Sequence, residues 1–160
     1  MAPYCIEYGG CVISTAIDRH VYVTIEPRDD KKIRIFSLNY NQELVFNIGD
    51  KDYSTDFEIF KGIVNVLEIN DGFNITTYSE LPAGSGMGGS SSLSVALIGA
   101  FNVYYNFGLS EHDIAQKAYD ISSRLIMKNK DVSIFNDFIY ISKGILNHKM
   151  TDYWYIIVLF

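Results

Sequence analysis

The order of elements predicted along the chain places this protein in the α+β class. Short runs of β-branched residues fill most of the first fifty positions, and a helical spacing of hydrophobic residues follows them. One further strand and two helices come next, so strands and helices do not alternate regularly. A chain of 160 residues has the usual size of one domain.

Four strands are predicted before residue 50. They cover residues 11–15, 21–25, 33–38 and 43–48, where β-branched and aromatic residues lie between polar breaks. Residues 39–42 are turn-like, which predicts a hairpin between the third and fourth strands. We therefore expect these strands to form a β-meander.

A helix is predicted over residues 56–68, with Asp56 as a possible N-cap. Its hydrophobic residues have i, i+3, i+4 spacing and are Phe57, Phe60, Ile63, Val64 and Leu67. Residues 70–72 are expected to end this helix, and residues 73–78 are rich in β-formers and predict a strand.

Two more helices are predicted in the second half of the chain. The first is strongly apolar and covers residues 90–105. Ser110 and Asp113 have the spacing of a capping box, with Asp in place of the usual Glu, and they open a helix that extends to about residue 125.

Charge and composition exclude several classes of protein. Thirteen Lys and Arg against nineteen Asp and Glu give a formal net charge of −6, and no dense basic cluster exists, so nucleic-acid binding is disfavoured. The apolar run at 93–109 is shorter than the ~20 residues of a membrane span, and residues 1–8 do not resemble a signal peptide. Cys5 and Cys11 are typical of reduced thiols rather than a redox pair, and we expect a soluble, cytoplasmic protein.

The strongest chemical signal is the segment Leu81-Pro-Ala-Gly-Ser-Gly-Met-Gly-Gly-Ser-Ser-Ser92. Its glycines permit positive φ angles and a close approach of the backbone to a ligand. The helix that follows adds unpaired N–H groups and the positive end of its dipole. This combination predicts a phosphate-binding loop, in which serine hydroxyls could donate to phosphate or complete a Mg²⁺ shell.

Other interpretations of the glycine segment fit less well. It is not a Walker A loop, because no Gly-Lys-Ser/Thr is present and no lysine lies between Lys61 and Lys117. It fits G-x-G-x-x-G as a string, but no acidic residue ends a second strand in the next twenty residues. A flexible Gly/Ser turn remains as the purely structural alternative.

The same segment resembles the second motif of the GHMP kinases, Pro-x-Gly/Ala-x-Gly-Leu/Met-Gly-Ser-Ser. The positions that match are Pro82, Gly84, Gly86, Met87, Gly88, Ser90 and Ser91, whereas Gly89 stands where the family usually has its first serine. Upstream, Tyr8-Gly-Gly-Cys-Val-Ile-Ser-Thr-Ala-Ile17 is similar to the branch of sugar-phosphate kinases that resemble D-glycero-D-manno-heptose 7-phosphate kinase. It fits this branch better than the homoserine or mevalonate kinases.

The resemblance covers residues 1–121 and implies a ribosomal protein S5 domain 2-like fold, the N-terminal domain of a GHMP kinase. It implies transfer of the γ-phosphoryl group of ATP, with Mg²⁺, to the anomeric hydroxyl of a heptose 7-phosphate or similar sugar phosphate. The residues it implies in ATP binding are Pro82, Ala83, Gly84, Ser85, Gly86, Met87, Gly88, Gly89, Ser90 and Ser91. Ser90 is also the implied Mg²⁺ ligand.

Several parts of the family pattern have no counterpart in this sequence. The opening Gly-Gly-Gly-Thr-Asp turn, the segment with the catalytic aspartate and the C-terminal domain are missing, and Ser122 stands where the family has a Mg²⁺-binding glutamate. The expectation is therefore a truncated domain over residues 1–121, with no catalytic residue assigned. Residues 122–160 are expected to be a divergent tail, with strands at 133–142 and 152–160.

These gaps keep a second function open, a catalytically inactive kinase fragment that at most binds nucleotide. Asp113, Asp120 and Asp131 could be proposed as a general base, but solvated carboxylates are the better interpretation of all three. The residues specify neither the sugar nor the oligomeric state.

Overall fold

A computed structural model describes residues 14–53, 58–82, 85, 87–129 and 156–159. The strands are β1 (Ser14–Ile17), β2 (Val21–Arg28), β3 (Lys32–Ser37), β4 (Gln42–Asn47), β5 (Gly72–Ser79) and β6 (Ile156–Leu159). The helices are α1 (Glu58–Val66), α2 (Gly89–Tyr105) and α3 (Glu111–Asn129). The predicted α+β class is confirmed.

The central sheet has the strand order β2-β5-β3-β4. Strand β5 is antiparallel to β2 and parallel to β3, while β3 and β4 form an antiparallel pair that begins where Ser37 faces Gln42. The predicted hairpin is therefore confirmed. The predicted meander is wrong, because β5 lies between β2 and β3.

This insertion of β5 requires residues 29–31 to cross over its first residue. Two strand spacings amount to about 10 Å, which a short connection can span because four Cα–Cα steps reach about 13 Å. At Gly72, a Cβ atom would overlap the carbonyl oxygen of Asp30 and would lie 3.0 Å from the carbonyl oxygen of Lys32. Gly72 therefore makes room for the crossing, a role that its interpretation as a helix-ending residue did not include.

The crossing segment is held by an ion pair between Arg28 and Asp30. The guanidinium donates Nε–H to one carboxylate oxygen at 2.8 Å and Nη2–H to the other at 2.7 Å. These hydrogen bonds from Arg28 lower the pKa of Asp30 to about 2. An unfolded aspartate titrates near pH ~3.9, so the pair stabilises the fold above that pH and loses its effect as the pH falls towards 2.

We therefore expect Asp30→Asn to flatten the pH dependence of the unfolding free energy between about pH 4 and pH 2. Urea unfolding at a series of pH values measures this slope. Asp29→Asn changes the same charge in the same connection and is the control. An equal flattening by both variants would show that the Arg28 pair is not responsible.

The described helices and one face of the central sheet contribute to one hydrophobic core. Along β3, the buried Ile33 and Ile35 alternate with exposed polar residues, as a sheet with one covered face requires. The rings of Phe73 on β5 and Phe101 on α2 meet edge to face, with centroids 5.3 Å apart. The other fully buried core residues include Ile63, Val64, Ile75, Leu97, Ile98 and Ala118. The sheet therefore fixes the position of α2.

Helix α2 carries no charged residue, in agreement with the apolar helix predicted at 90–105. It ends at Asn106, whose left-handed conformation directs its N–H to the carbonyl of Asn102. Across the described helices, none has both the length and the apolarity needed to cross a bilayer.

The predicted capping box of α3 is confirmed. The Asp113 amide donates to the Ser110 hydroxyl at 3.2 Å, and the Ser110 amide donates to the Asp113 carboxylate at 3.0 Å. The helix continues to Asn129, beyond the predicted end near residue 125.

The last strand has a partner that the sequence did not indicate. Strand β6 pairs antiparallel with β1, from Ser14 opposite Leu159 to Ile17 opposite Ile156. The predicted strand at 133–142 lies outside the described residues, as do Asp56 and Phe57 at the predicted start of α1.

Candidate functional site

The predicted phosphate loop connects the end of β5 to the start of α2. Strand β5 ends at Ser79 and α2 begins at Gly89, so the order of strand, glycine segment and helix is confirmed. Within the connection, the Ser85 amide donates to the Pro82 carbonyl at 3.3 Å and forms a turn. Ala83, Gly84 and Gly86 lie outside the described residues.

Gly88 sets the direction in which the helix begins. It is the N-cap of α2, with φ 80° and ψ 22°, a left-handed conformation that favours glycine, and no side chain caps the helix there. The Ser92 amide donates to the Gly88 carbonyl at 3.0 Å. The amides of Gly89, Ser90 and Ser91 come before Ser92 in the chain. They lie at the N-terminal end of the helix, where N–H groups lack intrahelical partners and the helix dipole is positive.

The backbone at Gly89 borders open space, because a Cβ built there would meet no atom within 4 Å. Nearby, the Ser92 hydroxyl is buried without a hydrogen-bond partner in the described part of the chain. Leaving such a group unsatisfied costs about 1–3 kcal/mol. The acceptor oxygens of a phosphate suit the start of this helix, where no side chain caps the first N–H groups.

The three serines at the start of α2 differ in accessibility. Ser90 is exposed and Ser91 is 2% exposed. The Ser94 hydroxyl faces back along the helix and donates to the Ser90 carbonyl at 2.9 Å. Ser90 is therefore the serine whose hydroxyl a ligand from solvent can reach most directly.

A metal ion at this loop would depend on few protein ligands. Among the residues that the structure describes, no three His, Cys, Asp or Glu side chains come together to hold a metal. Ser122, at the position of the glutamate implied by the family pattern, is buried and donates its hydroxyl to the Ala118 carbonyl at 2.7 Å. A Mg²⁺ ion held by Ser90 would therefore need phosphate oxygens and water at its other coordination positions.

Sequence reasoning missed the residues that hold the stem of the loop. The Glu80 carboxylate accepts the His20 backbone N–H at 2.9 Å and the Tyr22 hydroxyl at 3.1 Å. The His20 amide is the main reason why the pKa of Glu80 lies below its usual value. No local pattern marks this contact, because Glu80 and His20 are sixty residues apart.

The carboxylates considered as general bases have other contacts in the structure. Asp113 caps α3, and Asp120 accepts a hydrogen bond from the side-chain Nε2 of Gln116 at 2.9 Å. Asp131 lies outside the described residues. Asp113 and Asp120 are both exposed, as predicted for solvated carboxylates.

The family to which the chain belongs follows from comparison with known proteins. The family described as GHMP kinases N terminal domain matches residues 58–139, just over half of the chain. The chain belongs to the GHMP kinases. The matched region includes α1, β5, the glycine loop and α2.

Two curated relatives and one solved structure place the chain within the GHMP kinases. It is 37% identical to D-glycero-alpha-D-manno-heptose 7-phosphate kinase of Campylobacter jejuni, over 74% of this chain and 37% of that protein. It is 31% identical to a galactokinase of Streptococcus thermophilus, over 87% of this chain and 35% of that protein. The chain thus spans just over a third of the length of these GHMP kinases.

A crystal structure of D-glycero-D-manno-heptose 1-phosphate kinase from Bacteroides thetaiotaomicron matches with a TM-score of 0.58 and 27% identity. The match covers 76% of this chain and 42% of that one. The fold implied by the GHMP kinase motif is therefore confirmed.

Proposed function

We propose that the 82–91 loop binds the triphosphate of ATP and that the protein transfers the γ-phosphoryl group to a sugar phosphate. The single observation that carries the proposal is the start of α2, where Gly88 is the N-cap in a left-handed conformation and no side chain caps the helix. Backbone amides at a helix N-terminus are a common way to bind phosphate oxygens.

The charge distribution indicates how the phosphates are held. The chain has a formal charge of −6, and no lysine lies between Lys61 and Lys117. Within the loop itself, the groups that could hold phosphate are amides, serine hydroxyls and the dipole of α2, and a Mg²⁺ ion held by Ser90 would neutralise part of the phosphate charge. In such a site, catalysis comes from positioning and from stabilising charge on the transferred group.

In the transfer step, the sugar hydroxyl oxygen forms a bond to the γ-phosphorus while the bond from that phosphorus to the β,γ-bridging oxygen breaks. ADP leaves, and a general base or solvent water takes the hydroxyl proton. The heptose phosphate kinases among the relatives support a heptose phosphate as the acceptor, and the anomeric hydroxyl is the proposed acceptor atom.

One observation favours the second candidate, a chain that binds nucleotide without turnover. The Ser122 hydroxyl is engaged with the Ala118 carbonyl at the position where the motif implies a metal-binding glutamate. Calorimetry with ATP, with and without Mg²⁺, tests binding, and an ADP-coupled assay with heptose 7-phosphate, galactose and mevalonate tests transfer. ADP release that requires the sugar phosphate would support the kinase, whereas ATP binding without ADP release would support the catalytically inactive chain. Failure to bind ATP would contradict both.

Ser90→Ala is expected to reduce the gain in ATP affinity on adding Mg²⁺ by about tenfold, because the hydroxyl would no longer contact the ion. The ratio of Kd values with and without Mg²⁺ measures this effect. Ser94→Ala is the matched control, since its hydroxyl is bonded to the Ser90 carbonyl inside the helix. The same ratio in wild type and Ser90→Ala would remove Ser90 from the metal site.

A further inference from the structure

Glu80 joins two distant parts of the chain immediately before the phosphate loop. Its amide donates to the His20 carbonyl at 3.0 Å, and its carboxylate accepts the His20 amide at 2.9 Å. The second carboxylate oxygen accepts the Tyr22 hydroxyl at 3.1 Å, and His20 Nδ1 lies 3.4 Å from the first. One side chain thus fixes the stem of the loop to the turn that enters β2.

A line of contacts leads from Glu80 to the cap of α2. The next residue, Leu81, is buried and packs against Ile17, Val21 and Met87. Met87 lies on the far side of the loop and directly precedes Gly88. The entry and the exit of the loop are therefore in contact through Leu81, which directly follows Glu80 and whose amide also donates to the Ser79 hydroxyl at 3.1 Å.

Strand β5 is anchored separately, one residue before Glu80. The Asn39 side chain donates to the Ser79 carbonyl at 2.7 Å and accepts the Ser79 amide at 2.6 Å. Because this reciprocal pair and the pairing of Ser79 with Val21 hold the end of β5 without Glu80, loss of the Glu80 carboxylate should affect the loop rather than the strand.

We propose that Glu80 is a positioning residue, which holds the phosphate loop in the conformation that receives the triphosphate. Its contact with ligand is indirect, through Leu81 and Met87 to Gly88. The inference rests on the proposed function, since it assigns Glu80 a role in ATP binding. It predicts that hydrogen-bonding capacity at this position, rather than negative charge, determines affinity.

Glu80→Ala is expected to weaken Mg·ATP binding about tenfold, as loss of well-formed hydrogen bonds to a carboxylate would. Glu80→Gln should restore affinity to within about threefold of wild type, because its amide oxygen can still accept the His20 N–H. Glu43→Ala removes a carboxylate that pairs with Arg34 at 2.7 Å on another part of the sheet, and it is the control. Calorimetry gives the Kd values, and thermal melting compares the folds.

Hydrogen exchange provides a test that does not depend on ATP. Peptides covering residues 81–91 should exchange several times faster in Glu80→Ala than in wild type or Glu43→Ala. If wild type does not bind ATP, the proposed function fails, while the exchange rates still decide whether Glu80 orders the loop. Unchanged Kd and unchanged exchange in Glu80→Ala would overturn the inference.

Tyr22→Phe covers the case in which Glu80→Ala does not fold. Tyr22 is half exposed, and this variant removes one hydrogen bond to Glu80 while leaving the backbone contacts with His20 in place. Exchange over residues 81–91 should be about two to three times faster in Tyr22→Phe than in wild type. Wild-type exchange in a folded Tyr22→Phe protein would overturn the inference in that case.

Discussion

Gly88→Ala is expected to weaken Mg·ATP binding about 100-fold. The left-handed conformation of Gly88, with φ 80° and ψ 22°, costs an L-residue roughly 1–2 kcal/mol, so an alanine favours a different backbone conformation. Any such change redirects the amides of Gly89 and Ser90, which follow directly. A 100-fold change in Kd is about 2.7 kcal/mol, and each hydrogen bond to a charged group contributes about 1.5–3 kcal/mol, so the loss of one strong bond accounts for the predicted change.

Gly49→Ala is the matched control for this substitution. Gly49 has φ 81°, and a Cβ there would meet nothing within 4 Å, so the backbone strain is the same while the position is a turn after β4. Both variants should lose a similar unfolding free energy of about 1 kcal/mol, and only Gly88→Ala should lose ATP affinity.

Gly88→Asn should recover part of the affinity, since asparagine tolerates the left-handed conformation better than alanine. Calorimetry with Mg·ATP measures all three variants, and urea unfolding measures their stabilities. Wild-type affinity in a folded Gly88→Ala protein would contradict the phosphate-binding role of the loop.

The features that the sequence predicted correctly depend on residues close together in the chain. The β3–β4 hairpin closes over residues 38–41, and the Ser110–Asp113 capping box spans three positions. The strand, the glycine segment and the helix around Gly88 likewise follow one another directly in the chain. Local patterns contain enough information in these cases, because the interacting groups are near neighbours in the chain.

The features that the sequence did not predict depend on distant partners. Alternation of hydrophobic residues shows which face of β3 is buried, but it does not show which strand lies beside it. The insertion of β5 between β2 and β3, the pairing of β6 with β1 and the contact of Glu80 with His20 all join segments at least forty residues apart. A single glycine at position 72 was the one local trace of the β5 insertion.

The candidate site was predicted as a segment, but not atom by atom. Successive residues of a helix point about 100° apart, so neighbouring serines differ in exposure once the position of the helix on the sheet is known. Ser90 faces solvent, Ser91 is buried, and the Ser92 hydroxyl is buried without a partner among the described residues. The sequence alone gives the three hydroxyls without this distinction.

Gly72→Ala is expected to lower the unfolding free energy by about 3 kcal/mol, since added atoms in a well-packed interior typically cost 1–3 kcal/mol or more. The new Cβ would overlap the backbone carbonyl oxygen of Asp30. Asp30 cannot move freely, because its carboxylate is paired with Arg28. To relieve this overlap, residues 29–31 must move away from β5, and this movement weakens the pairing of Gly72 with Arg28. Urea unfolding measures the loss.

Gly89→Ala should change the unfolding free energy in the opposite direction, so it is a useful comparison for Gly72→Ala. A Cβ at Gly89 meets nothing within 4 Å, and Gly89 has no positive φ. An alanine there restricts mainly the unfolded chain and should stabilise the fold by about 0.4–1 kcal/mol. Because Gly72 also has no positive φ, its penalty comes from contact with the backbone carbonyl groups of Asp30 and Lys32, where the chain crosses from β2 to β3. Wild-type stability in Gly72→Ala would therefore contradict the strand order β2-β5-β3 itself.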